Sequence, residues 1–253
     1  MQIIDSQLHL WRNARMTAHH RQVPSYTDDD VLAEMQTAGV TGVVIHPPAS
    51  LGESSNDYAL EVANRHPDRF CVLGYFDLAR PDRDAVAARW RERPGMLGLR
   101  FAFNQPGQQA LWDDRALDSF WSACEKAGVP VGLMPSGSTM ASFARIAAQH
   151  PGLKLLIDHL GRGGHAEKKD EACFEDLDEM LALARLPNVA VKLSAAPSYS
   201  TQAYPWRNMH EPIRRIVETF GAERCFWGSD LTRLKCPYRE TVTMFTEEMP
   251  WLK

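Results

Sequence analysis

Ile3-Ile4-Asp5-Ser6-Gln7-Leu8-His9-Leu10-Trp11 opens the chain, and its reading decides the fold. Two apolar residues run directly into a carboxylate, an amide, an imidazole and an indole, the pattern of a buried parallel strand whose carboxyl end opens into a site. Side chains alternate along an extended segment, so Asp5, Gln7 and His9 share one face. In barrels and open α/β sheets, that end of the strand is where chemistry is placed.

Working outward, seven further segments read as strands: Thr41–His46, Phe70–Phe76, Met96–Phe103, Val129–Met134, Leu153–His159, Asn188–Ser194 and Arg224–Asp230. Helical patterns fall between and after them, at Asp28–Ala38, Asn56–His66, Asp82–Arg93, Asp114–Ala127, Thr139–His150, Glu171–Arg185, Arg207–Phe220 and Pro237–Met249. Acids in the first turn and Gly39 at the end mark the first helix, and Gly128 closes the fourth. Eight strands alternating with eight helices, without a Gly/Pro/Ser-rich linker, predict an α/β protein built as a single (β/α)₈ TIM barrel over residues 1–253. The competing doubly wound sheet lacks support, because no GxGxxG or phosphate loop follows the first strand.

Composition narrows the function classes. With 253 residues, a net charge of -4 and no basic tract, neither nucleic acid nor an anionic membrane is expected as a partner. No apolar run approaches the ~20 residues that span a bilayer, and Met1 leads into a strand instead of a signal peptide. A cytoplasmic location is therefore expected. The five cysteines show no CxxC spacing, which reads as buried reduced thiols.

The polar residues at the carboxyl ends of these strands are Gln7, His9, His46, Asp77, Arg100, Asp158, His159, Lys192, Ser194 and Asp230. If the barrel closes, they meet in one cavity, where a carboxylate and imidazoles can move protons while cations bind an anionic small molecule. The bland readings are a turn for Asp230, a core imidazole for His159, a satisfied amide for Gln7, and a core or pocket wall for Trp11. Arg100 has a barrel salt bridge with Asp77 or Asp5 as its alternative, and Lys192 a buried pair with an acid. His46 is expected to fix the turn before Pro47 and Pro48. The loop Arg12–Thr27 is long enough to fold over the mouth. His20 reads as solvated, His19 and His210 as residues that reach the mouth only if their loops fold inward. Surface placement is the default for Cys236, Tyr238 and Arg239, with an anion contact open to Arg233.

IIDSQLHLW, SNDYALEVANRHPDRF, GLRF, IDHLGR, VKLS and FWGSD stand in an order that resembles the amidohydrolase-related branch of the amidohydrolase superfamily. That branch holds 2-pyrone-4,6-dicarboxylate lactonases, fuconolactonase-like enzymes and a metal-dependent decarboxylase. The resemblance runs from Ile3 to about Leu252. Metal-binding members carry an HxH pair on the first strand, a His after the fifth and an Asp on the eighth. Here Gln7 replaces the first His and Met134 the fifth-strand His, leaving His9 and Asp230. Catalytic zinc takes three ligands from His, carboxylate and thiolate, so no tightly bound metal is expected.

By analogy with the metal-free lactonases of the branch, the resemblance implies a hydrolase that opens a small carboxylated lactone or ester. It implies Asp230 as general base, His159 and His9 as electrophiles, and Arg100, Lys192, Gln7, Trp11 and Arg233 as substrate contacts. The alternatives are a zinc- or manganese-dependent hydrolase or decarboxylase with Gln7 as an unusual ligand, and a barrel that binds a metabolite without turnover. Members of the branch carry a further helical stretch after the Trp-Leu pair. If this chain ends at Lys253, the eighth helix is thinly covered and a second subunit in a homo-oligomer would cover it.

Overall fold

The computed structural model describes residues 1–103, 111, 115–135, 137, 139–162 and 167–252. Eight strands lie side by side in chain order, all parallel: β1 (Ile4–Leu8), β2 (Gly42–Ile45), β3 (Phe70–Gly74), β4 (Met96–Phe101), β5 (Val131–Leu133), β6 (Leu155–Ile157), β7 (Val189–Ser194) and β8 (Cys225–Gly228). The Asp230 N–H donates to the Gln7 carbonyl at 2.8 Å, drawing the last strand back onto the first. The result is the expected barrel.

Around it lie α1 (Asp28–Ala38), α2 (Ser55–Arg65), α3 (Arg83–Ala88), α4 (Asp118–Ala127), α5 (Thr139–Gln149), α6 (Leu177–Leu181), α7 (His210–Phe220) and α8 (Tyr238–Thr246). Thr27 and Asp30 cap the start of α1 reciprocally, and Gly39 ends it in the left-handed conformation. Two expected helices depart most from the reading. Asp82–Arg93 breaks after Ala88 into a 3₁₀ turn whose Trp90 indole donates to the Gly98 carbonyl. Glu171–Arg185 is a 3₁₀ turn, one short α-helix and another 3₁₀ turn. Burial of Cys173, Phe174, Leu177, Met180 and Leu183 sets its path, overriding simple periodicity. Asp114, the expected start of the fourth helix, lies outside the described residues. Among the described residues, no helix is long and apolar enough to cross a membrane.

Strand β1 is pinned from two sides. Asp5 accepts from the backbone N–H of Gln7, from the N–H and hydroxyl of Ser229, and from the Tyr238 hydroxyl at 2.6 Å. Tyr238 is thus buried, in contrast to the surface position read from the sequence, because this carboxylate takes its hydroxyl. Gly228 lets β8 approach: a Cβ there would lie 2.8 Å from Ser6 Oγ and 3.0 Å from Gln7 Cβ. Gly228→Ala is expected to destabilise by about 1–3 kcal/mol through overpacking, read as a lower denaturant midpoint at unchanged slope. An unchanged midpoint would mean that the seam is looser than these distances.

Candidate active site

The strand ends deliver their polar side chains to one buried cluster. Asp230 follows β8 with φ 54° and ψ 39°, and His159 follows β6 with φ 52°. Non-glycine residues avoid this left-handed region unless their surroundings hold them there, and such positions cluster at functional sites. Asp230 is fully buried, and neither of its carboxylate oxygens has a well-formed hydrogen bond. His9 Nε2 lies 3.4 Å from Oδ1, and an Arg233 guanidinium nitrogen lies 3.5 Å from Oδ2. His9 Nδ1 donates to the His46 carbonyl at 2.7 Å, so its Nε2 faces the carboxylate.

His159 is held through Ser194. The Ser194 hydroxyl lies 3.3 Å from the His159 backbone N–H and 2.9 Å from Nδ1. Arg100 is a donor only, so its terminal nitrogen 3.5 Å away donates to His159 Nε2, and the ring hydrogen lies on Nδ1, where the Ser194 oxygen accepts it along with the backbone N–H. Arg100 donates from Nε to Asp158 at 2.7 Å and from its terminal nitrogen to the Met134 sulfur at 2.8 Å. Its carboxylate partner is therefore Asp158, not Asp77 or Asp5.

Lys192 lies beneath the mouth, 1% exposed, with Nζ 2.9 Å from Gln7 Oε1, 2.9 Å from His46 Nε2 and 3.3 Å from Asp158 Oδ1. His46, read as a turn residue, joins this network. Trp11 forms the wall: it is buried, and its indole N–H donates to the Val23 carbonyl. The Arg12–Thr27 loop does fold onto the mouth, through Arg21 N–H to the Thr232 carbonyl at 2.7 Å. It brings His20, expected in solvent, edge-on to His9 at 4.9 Å between ring centres and to the Thr232 hydroxyl at 2.9 Å. His210 instead donates to the Pro205 carbonyl, away from the cluster. Arg233 lines a cavity of about 780 Å³ with His19, Tyr199, Tyr204, Trp206, Lys235 and Cys236. Arg100 lines a second, of about 330 Å³, with Tyr75, Phe101 and Phe103.

The electrostatics follow from this packing. Burial alone would raise the Asp230 carboxyl; the adjacent His9 ring and the charges of His159 and Arg233 hold it well below the usual carboxylate range. Asp158 is likewise held low, with Lys192 and Arg100 outweighing burial. Burial lowers the Lys192 ammonium from its ordinary value, with Asp158 opposing. Burial brings His159 down to about 4, with Asp230 and Asp158 opposing. Its folded value is depressed, so His159 stabilises fully above the ordinary ~6.5 and that contribution is lost as pH falls toward 4. About 3 kcal/mol of stability should disappear over this window, and His159→Asn should flatten the decline. Equal slopes for the two proteins in denaturant titrations at several pH values would contradict it.

As arranged, the donors do not fit a divalent cation. Among the described residues, no group of three or more His, Cys, Asp or Glu side chains converges as a metal site. The guanidinium groups of Arg100 and Arg233 stand beside His159 Nε2 and Asp230 Oδ2, which leaves His9 Nε2 and Asp230 Oδ1 as ligands, one short of the three that catalytic zinc takes.

A parallel barrel that gathers a buried carboxylate, imidazoles and arginines at the carboxyl ends of its strands has them where barrel enzymes place their active sites. The chain belongs to the amidohydrolase family, whose sequence profile matches residues 4–246. It is 26% identical to an L-fucono-1,5-lactonase of Burkholderia ambifaria over 239 residues, which cover 90% of this chain and 79% of that one. It is 27% identical to a 4-sulfomuconolactone hydrolase of Hydrogenophaga intermedia over 189 residues, covering 75% of this chain and 59% of that one. Its fold matches a Burkholderia multivorans amidohydrolase solved with bound zinc, with a TM-score of 0.80 and 22% identity over 96% of this chain and 90% of that one.

Proposed function

We propose that this protein hydrolyses a small carboxylated lactone or related ester without a tightly bound metal ion, with Asp230 as general base. The buried Asp230 carboxylate, lacking any well-formed hydrogen bond and flanked by His9, His159 and Arg233, carries this reading. The lactone specificity of the two sequence relatives supports the substrate class.

In this mechanism water attacks the ring carbonyl carbon and gives a proton to Asp230, while the C=O electrons move onto oxygen. His159, taking the Nε2–H tautomer once Arg100 turns to the substrate carboxylate, meets that oxyanion together with His9 and the Gln7 amide, where positioned donors are worth most. Collapse breaks the ring C–O bond, and Asp230 returns its proton to the leaving oxygen. A carboxylate held so far below its ordinary value is a weak base at rest. It gains basicity as the new negative charge draws the His9 and arginine contacts away from it. Access requires the Arg12–Thr27 loop to lift His20 from His9, a gating step of the kind common in closed sites.

Arg100 and Arg233, each facing a cavity, are assigned to the substrate carboxylate. Lys192 and Trp11 belong to the support of the site in this reading, since their polar atoms are already engaged. A panel of lactones with and without a ring carboxylate tests the proposal: turnover should favour the carboxylated members. Arg233→Met should raise KM at least ~10-fold, the loss of about 1.5–3 kcal/mol from a charged hydrogen bond. Hydrolysis indifferent to the carboxylate would remove the anion from the recognition.

A further inference from the structure

Gln7 stands at the position where metal-binding barrels of this architecture would want a ligand, and an amide can face either way. Its orientation here is dictated from below. Lys192 Nζ has three hydrogens and three acceptors in reach: Gln7 Oε1 at 2.9 Å, His46 Nε2 at 2.9 Å and Asp158 Oδ1 at 3.3 Å. A flipped Gln7 would set its NH₂ group against the ammonium group, donor against donor. With the oxygen held inward, Gln7 Nε2 faces His9 Nε2 at 3.5 Å, on the reacting side. His46 Nε2 also lies 3.0 Å from the Ser6 carbonyl, and one ring nitrogen serves only one of these contacts at a time. A charged Lys192 claims it as an acceptor.

We propose that Lys192 is a positioning residue that supplies a fixed cation beneath the site: it locks Gln7 with its oxygen inward and its N–H toward the substrate carbonyl, and by the same contact denies that amide to a metal ion. The first half deepens the lactonase reading given above; the second stands without it. Lys192 carries its charge at the end of a β7 side chain that is fully enclosed, so solvent does not screen it, and Asp158 at 3.3 Å opposes the loss of its proton. A divalent ion bound at Gln7 would sit one amide group away from that ammonium, with Arg100 adding a second positive charge across Asp158. Gln7 is thereby a hydrogen-bond donor by construction.

Three variants test this. Gln7→Glu keeps the oxygen that Lys192 holds and replaces only the outward N–H, so kcat on a carboxylated lactone should fall about 100-fold, with KM and the thermal midpoint nearly preserved. Gln7→His, with Lys192 retained, should hold no zinc through dialysis; Gln7→His combined with Lys192→Met should retain one equivalent by elemental analysis. The zinc readout needs no substrate, so it remains decisive even if lactones prove to be the wrong class. If the double variant fails to fold, both single variants keep the lysine and still decide. Wild-type turnover by Gln7→Glu, a full equivalent of zinc on Gln7→His alone, or a folded double variant without zinc would each overturn the proposal.

Discussion

Asp230→Asn should lower kcat for lactone hydrolysis about a thousandfold while leaving the fold intact. The amide fills the same volume and cannot take a proton from water. Folding should persist because the backbone N–H of residue 230, not its side chain, makes the bond to the Gln7 carbonyl that closes the barrel. The variant also discharges the pair with His9 and Arg233, so binding of an anionic lactone should hold or tighten, and the loss should fall in kcat. Circular dichroism together with steady-state kinetics separates these effects. A folded variant with undiminished turnover would remove Asp230 from the mechanism.

Asp158→Ala should be the most destabilising substitution at the site. This carboxylate is fully buried between the Arg100 guanidinium at 2.7 Å and the Lys192 ammonium at 3.3 Å. Removing it leaves the buried Lys192 and the half-buried Arg100 without the carboxylate they share, a loss that costs about 3–5 kcal/mol. Asp158→Asn keeps an acceptor for Arg100 and should cost clearly less. Denaturant midpoints of the two variants measure the difference. Equal, small losses would mean that water reaches this cluster and screens it.

Much of this site was legible in the opening strand and in the strand ends that follow it. Asp5, Gln7 and His9 at period two, IDH before a glycine and GSD after an aromatic pair mark chain ends turned inward, and His9, His159 and Asp230 meet as those patterns imply. The legible part is the part set by strand register. What was missed depends on which atoms face each other across strands. Lys192 reads as a substrate cation until its ammonium is found engaged by Gln7, His46 and Asp158. His46 reads as a turn residue because the two prolines after it dominate the local pattern.

Loop residues were harder still. His20 and Tyr238 carry polar side chains in polar stretches, and nothing local distinguishes them from solvated neighbours. Their placement, half-buried for His20 and buried for Tyr238, comes from partners more than two hundred residues away in the chain, Thr232 for His20 and Asp5 for Tyr238. Ser194 had a fainter signal. It ends a strand of small and apolar residues, where a hydroxyl has to find a partner, and the partner is the His159 ring.

The central claim is hydrolysis by Asp230 without a bound metal ion. Its most direct test is elemental analysis of protein purified without chelators, paired with kcat/KM on a carboxylated lactone before and after chelation of the same sample. A small fraction of an equivalent of metal, with turnover unchanged by the chelator, is the expected result. One equivalent of zinc or manganese, with activity lost on chelation and restored by the ion, would contradict it.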